Sequence, residues 1–91
     1  MENVSEYWVY IIESEKDGRW YIGQTNDLAR RVRDHNRGYS NYTKKFRPWH
    51  LYASKIFTDR AEAMRVERRI KNFKSRSLIE EYIKSHDFVI D

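Results

Sequence analysis

The chain has 91 residues, 18 Lys and Arg against 14 Asp and Glu, and a formal net charge of +4; it is 40% hydrophobic and 15% aromatic, with three glycines and one proline. That balance excludes collagen-like, proline-rich and disordered classes and leaves room for a single small core. The absence of cysteine rules out a disulfide framework and a thiolate zinc site. The opening MENVSE has neither the basic start nor the apolar run of a secretory leader, and no stretch approaches the length of a membrane span, so the cytoplasm is the expected compartment.

Residues 7 to 13, YWVYIIE, are β-branched and aromatic and read as a strand. SEKDG supplies a turn, and RWYIGQT resumes as a second strand. With Asp17 and Gly18 as a two-residue turn, residue i pairs with residue 35 − i, which places Tyr10, Ile12, Tyr21 and Gly23 on one face. A loop of odd length would reverse that facing. A glycine inside a strand weakens it and marks a bulge or a close approach by another backbone or a ligand, so Gly23 points to a site.

Asn26 reads as the N-cap of a first helix, DLARRVRDHNR, with Leu28, Val32 and His35 at helical spacing and Gly38 as the stop. Arg31 lies next to Val32 and four residues before His35, so the two share a flank of the packed face. YSNYTKKFRP is a polar, basic and aromatic loop, and WHLYASKIF a third strand. Thr58 and Asp59 cap RAEAMRVERRIKNF, where Ala63, Val66, Ile70 and Phe73 form an apolar stripe with Glu67 at its edge. Ser77 with Glu80 makes a capping box for a short third helix, LIEEYIK. The tail SHDFVID has no assignable element.

The cations are concentrated. Residues 30 to 47 carry Arg30, Arg31, Arg33, Arg37, Lys44, Lys45 and Arg47 against a single acid, Asp34, and residues 60 to 76 are again strongly cationic. Two basic blocks suggest a polyanionic partner, although a basic helix face can also simply be solvated. In the loop, Tyr39, Tyr42, Phe46 and Trp49 are interleaved with Lys44, Lys45 and Arg47. That is the composition of a nucleic-acid surface, where cations meet phosphates and rings stack on unpaired bases. Phe46 and Trp49 could equally fold into the core beside Pro48.

Tyr10, Tyr21-Ile22-Gly23, Arg31, His35 and Glu67, in that order, resemble the GIY-YIG nuclease domain found in homing endonucleases, some restriction enzymes and the amino-terminal part of the UvrC excision-repair subunit. The match covers roughly residues 7 to 75, and the chain is similar in length to the small bacterial single-domain GIY-YIG proteins. Tyr21-Ile22-Gly23 carries the second half of the motif intact. The first half reads Trp8-Val9-Tyr10, so only its tyrosine is retained.

The resemblance implies an α/β fold of the α+β kind, a three-stranded antiparallel sheet flanked by about three helices, as one domain over residues 1–91 with its core at about 7–83. It also implies an endonuclease, dependent on Mg²⁺ or another divalent cation, that hydrolyses phosphodiester bonds in DNA, as in DNA repair. Tyr10 would be the general base, supported by Tyr21 and His35, with Arg31 as the phosphate clamp and Glu67 as the metal ligand. Phosphodiester cleavage needs an activated water, neutralisation of phosphoryl charge and help for the leaving oxygen. A single carboxylate can hold a Mg²⁺ that keeps most of its waters. An unperturbed tyrosine, with a pKa of about 10, is a poor base at neutral pH, so nearby cations must lower it. His35 or Tyr21 could instead accept or relay the proton, and the sequence leaves that choice open.

Gly23, Arg30, Lys44, Lys45, Arg47 and Lys71 are the expected nucleic-acid contacts, on DNA or RNA. With no room for a separate DNA-binding module, selection would be structural or delegated to a protein partner, and no membrane is involved. Two alternatives stand beside this. One is a nucleic-acid-binding module that kept the fold without turnover, since bulk at Trp8 could obstruct Tyr10; the other is a protein-interaction domain. Glu67 also has a structural reading, an ion pair with Arg31 or with Lys71 at i+4.

Overall fold

In the computed structural model, residues 5–91 are described, and residues 1–4 of the expected domain lie outside them. The elements run β1 (Tyr7–Ser14), β2 (Trp20–Thr25), α1 (Leu28–Arg37), a short 3-10 turn (Thr43–Phe46), β3 (Trp49–Phe57), α2 (Arg60–Lys71), α3 (Arg76–Ser85) and β4 (Val89–Ile90). The antiparallel sheet has the order β2-β1-β3-β4, so it carries four strands where three were expected. The fourth comes from the unassigned tail. Phe88 buries its ring in the core, and the short strand after it pairs with Ala53 and Ser54. Two residues are too few for a sequence pattern to announce a strand.

The β1-β2 hairpin pairs Tyr10 with Gly23 and Ile12 with Tyr21. The register is therefore two residues away from the expected one, and the loop is four residues long, not two. Ser14 causes the difference: its hydroxyl accepts from the backbone N–H of Lys16 (3.0 Å) and Asp17 (3.2 Å) and donates to the Phe46 carbonyl at 2.6 Å. Gly18 then turns the chain at φ 80°. A shift of two preserves side-chain facing, so Tyr10, Ile12, Tyr21 and Gly23 do share one face.

That face packs on α1 and the 3-10 turn through Tyr10, Ile12, Trp49, Leu28, Val32 and Phe46. The opposite face, with Val9, Ile11, Ala53 and Phe57, receives Ala63 and Ile70 of α2 and Ile79 and Ile83 of α3. A register shift between Ile11 and Ile12 skips Tyr52 and lets β3 contribute Trp49 and Leu51 to one face but Ala53 and Phe57 to the other.

The caps refine the helix starts. Asp27, not Asn26, caps α1 and accepts from Arg30 N–H at 3.2 Å; Gly38 ends the helix at φ 85°, as expected. Asp59 caps α2. Ser75 caps α3 by accepting from Leu78 N–H at 3.3 Å, which places Ser77 inside the helix and removes the expected box with Glu80.

Candidate active site

Tyr10 stands in the middle of β1, a strand flanked on both sides, and is 1% exposed. Its cross-strand partner is Gly23. A Cβ at residue 23 would lie 2.6 Å from Tyr10 Cζ and closer still to the hydroxyl oxygen. The glycine in the strand is therefore a seat: only a residue without a side chain lets the phenol lie across β2.

Above this seat, α1 supplies His35 and Arg31. His35 is fully buried, and its Nε2 lies 2.8 Å from the Tyr10 hydroxyl. On the other side of the ring, Nδ1 lies 2.8 Å from Oγ1 of Thr43, which is also fully buried. Tyr21 stands edge-on to His35, with ring centroids 5.0 Å apart, and 6.5 Å from the Tyr10 ring. Arg31, half-buried on the same helix, is near enough for its guanidinium to favour the charged form of Tyr10.

Burial dominates the electrostatics. It pushes the Tyr10 hydroxyl up to about 12, an effect that Arg31 opposes and that the negative charge of Glu67 slightly reinforces. Burial, aided by the positive charge of Arg31, brings His35 down to about 4. At neutral pH the protein thus holds a protonated tyrosine against a neutral histidine.

Glu67 lies on α2, which packs on β1 and β2, and its charge is felt at Tyr10. Its carboxylate pairs with Lys71 at 2.9 Å; the side chains are 21% and 51% exposed. Of the two structural partners weighed for Glu67, Lys71 is the one present. No group of three or more His, Cys, Asp or Glu suited to a metal occurs among the described residues.

Of the expected catalytic residues, Tyr10, Tyr21, Arg31 and His35 come together on one face. Glu67 is near enough to be felt by Tyr10 but is occupied by a lysine. Arg30 on α1, Lys44 and Lys45 on the 3-10 turn and Arg47 just after it are exposed. Trp8 lines a cleft with Asn26, Leu28 and Ala29 at the start of α1, and its ring stacks on neither Tyr10 nor His35. Phe46 and Trp49 pack into the core.

The sequence reading missed Thr43, Asn36 and Arg19. Asn36 clamps Trp49 through both the backbone N–H (2.6 Å) and carbonyl (2.9 Å), and the Trp49 indole N–H donates to the Thr43 carbonyl at 2.8 Å. Arg19 lies over the Phe46 ring at 3.5 Å and donates to the Tyr42 hydroxyl at 3.0 Å. None of these pairings leaves a local signal, since each joins segments that only the fold brings together.

A family model described as the GIY-YIG catalytic domain matches residues 6–82. The UPF0213 protein BH0048 of Halalkalibacterium halodurans is 41% identical over 71 residues, covering 77% of this chain and 74% of that protein. The UPF0213 protein YazA of Bacillus subtilis is 36% identical over 89 residues, 93% of this chain and 89% of the relative. The solution NMR structure of the UPF0213 protein BH0048 from Bacillus halodurans superposes with a TM-score of 0.57 and 36% identity, over 89% of this chain and 85% of that one.

Proposed function

The chain belongs to the GIY-YIG catalytic-domain family, and from that premise we propose that it is a metal-dependent endonuclease hydrolysing phosphodiester bonds in DNA. The observation that carries this reading is the Tyr10 hydroxyl seated over Gly23, bonded to His35 at 2.8 Å and faced by the Arg31 guanidinium. A phenol oxygen held between an imidazole and a guanidinium is poised to exchange a proton beside an anion.

Tyr10 takes the proton of the attacking water in its phenolate form, which the charge of Arg31 favours against the burial that keeps the resting hydroxyl protonated. Arg31 offers a fixed, always protonated fork to the phosphate and stabilises the phenolate form of Tyr10. Tyr21 holds the His35 ring edge-on. Glu67 is the residue that would hold a Mg²⁺, and its lone carboxylate fits a hard cation that retains most of its own water. When bound, such an ion supplies Lewis-acid polarisation of the phosphate and leaving oxygens. Lys71, now on Glu67, would release the carboxylate and turn to a phosphate. The exposed Arg30, Lys44, Lys45 and Arg47 supply sequence-independent affinity, so target choice follows DNA structure or a protein partner.

Cleavage of labelled duplex, single-stranded, flap and branched DNA with Mg²⁺ tests this. Cutting that falls at least about 100-fold in both Tyr10→Phe and Glu67→Ala, with melting curves showing folded variants, is the expected result. Cutting unaffected by either substitution sinks the site assignment. The high Tyr10 pKa motivates one competing reading, a binding module without turnover. Salt-dependent DNA binding with no cutting of any substrate would establish that instead.

A further inference from the structure

Trp8 takes no part in the chemistry assigned to its neighbours, yet it sits two residues before Tyr10 on β1, so the two side chains leave the sheet on the same face. Its indole is half-buried, belongs to neither core cluster and pairs with no aromatic ring among the described residues. A tryptophan that only filled space would be packed into one of those clusters. Instead it lines a cleft between the starts of β1 and α1. The cleft holds about 520 Å³, within the about 300–1,000 Å³ usual for small-ligand sites.

The cleft is in step with the proposed catalytic groups. From Tyr10 back to Trp8 is one strand repeat, about 6.6 Å. From Arg31 back to Asp27 is four residues along α1, about 6 Å. β1 and α1 thus displace the cleft from Tyr10 and Arg31 by the same distance, on the scale of one nucleotide step in an extended strand.

Its lining decides what can enter. Leu28 and Ala29 are apolar, and Glu6, Asn26 and Asp27 are polar. No Lys or Arg lines it among the described residues, whereas Arg30 and Arg31 follow directly on α1. Two carboxylates repel a phosphate, so the backbone of a bound strand stays with the arginines and its uncharged part, the base, faces the cleft. There its flat face can stack on the indole. A carboxylate accepts hydrogen bonds and cannot donate them, so the edge of the cleft favours bases that carry an exocyclic amino group. Thr25 fixes this edge by accepting from the Asp27 backbone N–H at 3.1 Å. One carboxylate oxygen of Asp27 caps α1 through the Arg30 N–H, which leaves the other for a ligand.

We infer that Trp8, with Glu6, Asn26 and Asp27, forms a subsite for one unpaired nucleobase bearing an amino group, and not for thymine, beside the phosphate at Tyr10 and Arg31. The inference rests on the nucleic-acid reading above and deepens it: the DNA structure selected is a strand with an unpaired base next to the scissile phosphate. A base inside a duplex keeps its edge in the pair and its faces in the stack, out of reach of the indole. The bulk at Trp8 therefore serves substrate choice and does not obstruct Tyr10.

Short single-stranded oligomers of dC, of dT and of base-free sugar-phosphate, equal in length, test this at low salt without Mg²⁺. The chain has three tryptophans, and Trp8→Phe isolates the signal of Trp8. The dC oligomer should quench wild-type tryptophan fluorescence, the base-free oligomer should not, and the quenching should vanish in Trp8→Phe. By anisotropy, dC should bind at least about fivefold tighter than dT, and Trp8→Ala should weaken dC at least about fivefold while leaving the base-free oligomer unchanged. Absence of quenching by dC, quenching that persists in Trp8→Phe, equal affinity for dC and dT, or an alanine variant that weakens dC and the base-free oligomer alike overturns the inference. The fluorescence and the dC-to-dT ratio decide it even where Trp8→Ala does not fold. Quenching of Trp8 in a chain that cuts no DNA would support the subsite and sink the nuclease reading alone; cutting without such quenching would sink the subsite alone.

Discussion

Gly23 and Tyr10 act as one unit. A methyl group at residue 23 would stand 2.6 Å from Cζ and 2.9 Å from Cε1 of Tyr10, so Gly23→Ala must tip the ring off its seat. We expect a stability loss of about 1–3 kcal/mol by chemical denaturation. Cleavage should fall by more than that loss explains, because the hydroxyl moves away from His35 and Arg31. His35 makes a separate prediction. Its pKa is about 6.5 when exposed and about 4 in the fold, so below pH 6.5 the unfolded chain binds the extra proton. The stability it contributes is complete above pH 6.5 and is lost as the pH falls from there to 4, by up to about 3 kcal/mol. Melting temperatures across that window should drop less steeply in His35→Gln, which cannot charge. Tyr10 acts at the other end: its contribution is complete below pH 10 and fades as the pH rises to about 12.

At the level of elements, the helix starts are set by single hydrogen bonds. Ser75 and Ser77 lie two residues apart, and both look like caps in the sequence. Only Ser75 meets an open backbone N–H, that of Leu78. Ser75→Ala should therefore cost about 1 kcal/mol of stability, while Ser77→Ala should stay within about 0.5 kcal/mol, both read from denaturation midpoints. The same contrast holds between Asp27, the true cap of α1, and its neighbour Asn26. β3 was legible in full, from Trp49 to Phe57, because turn residues bound a β-branched and aromatic run. The hairpin loop was not, because its length follows from Ser14 reaching across to the Phe46 carbonyl, 32 residues along the chain.

For the whole molecule, charge and the fourth strand carry the predictions. Arg30, Lys44, Lys45 and Arg47 are exposed on one side, with no described carboxylate in ion-pair contact. DNA affinity should fall steeply with salt, and Lys44→Ala with Lys45→Ala should weaken binding to every sequence alike and flatten the salt slope by roughly two, measured by fluorescence anisotropy. No helix among the described residues is long and apolar enough to cross a membrane. The tail closes the core: Phe88 is 8% exposed, and the backbone N–H of Asp91 bonds to the Tyr52 carbonyl at 2.9 Å. Phe88→Ala should destabilise by about 3 kcal/mol or more, checked by thermal melting.

The sequence by itself determined the order of the three long strands and three helices and the placing of Arg31 and His35 on one flank, and, for a hairpin loop of even length, the shared face of Tyr10, Tyr21 and Gly23. These are consequences of period: alternation by two in strands and 3.6 in helices is written locally, and a register slip of two leaves it intact. The tertiary structure alone decided the rest. It put Thr43 against His35, Arg19 over Phe46 and the tail onto the edge of β3. Each joins groups whose meeting depends on packed layers and not on local spacing, as does the burial that holds Tyr10 protonated and His35 neutral.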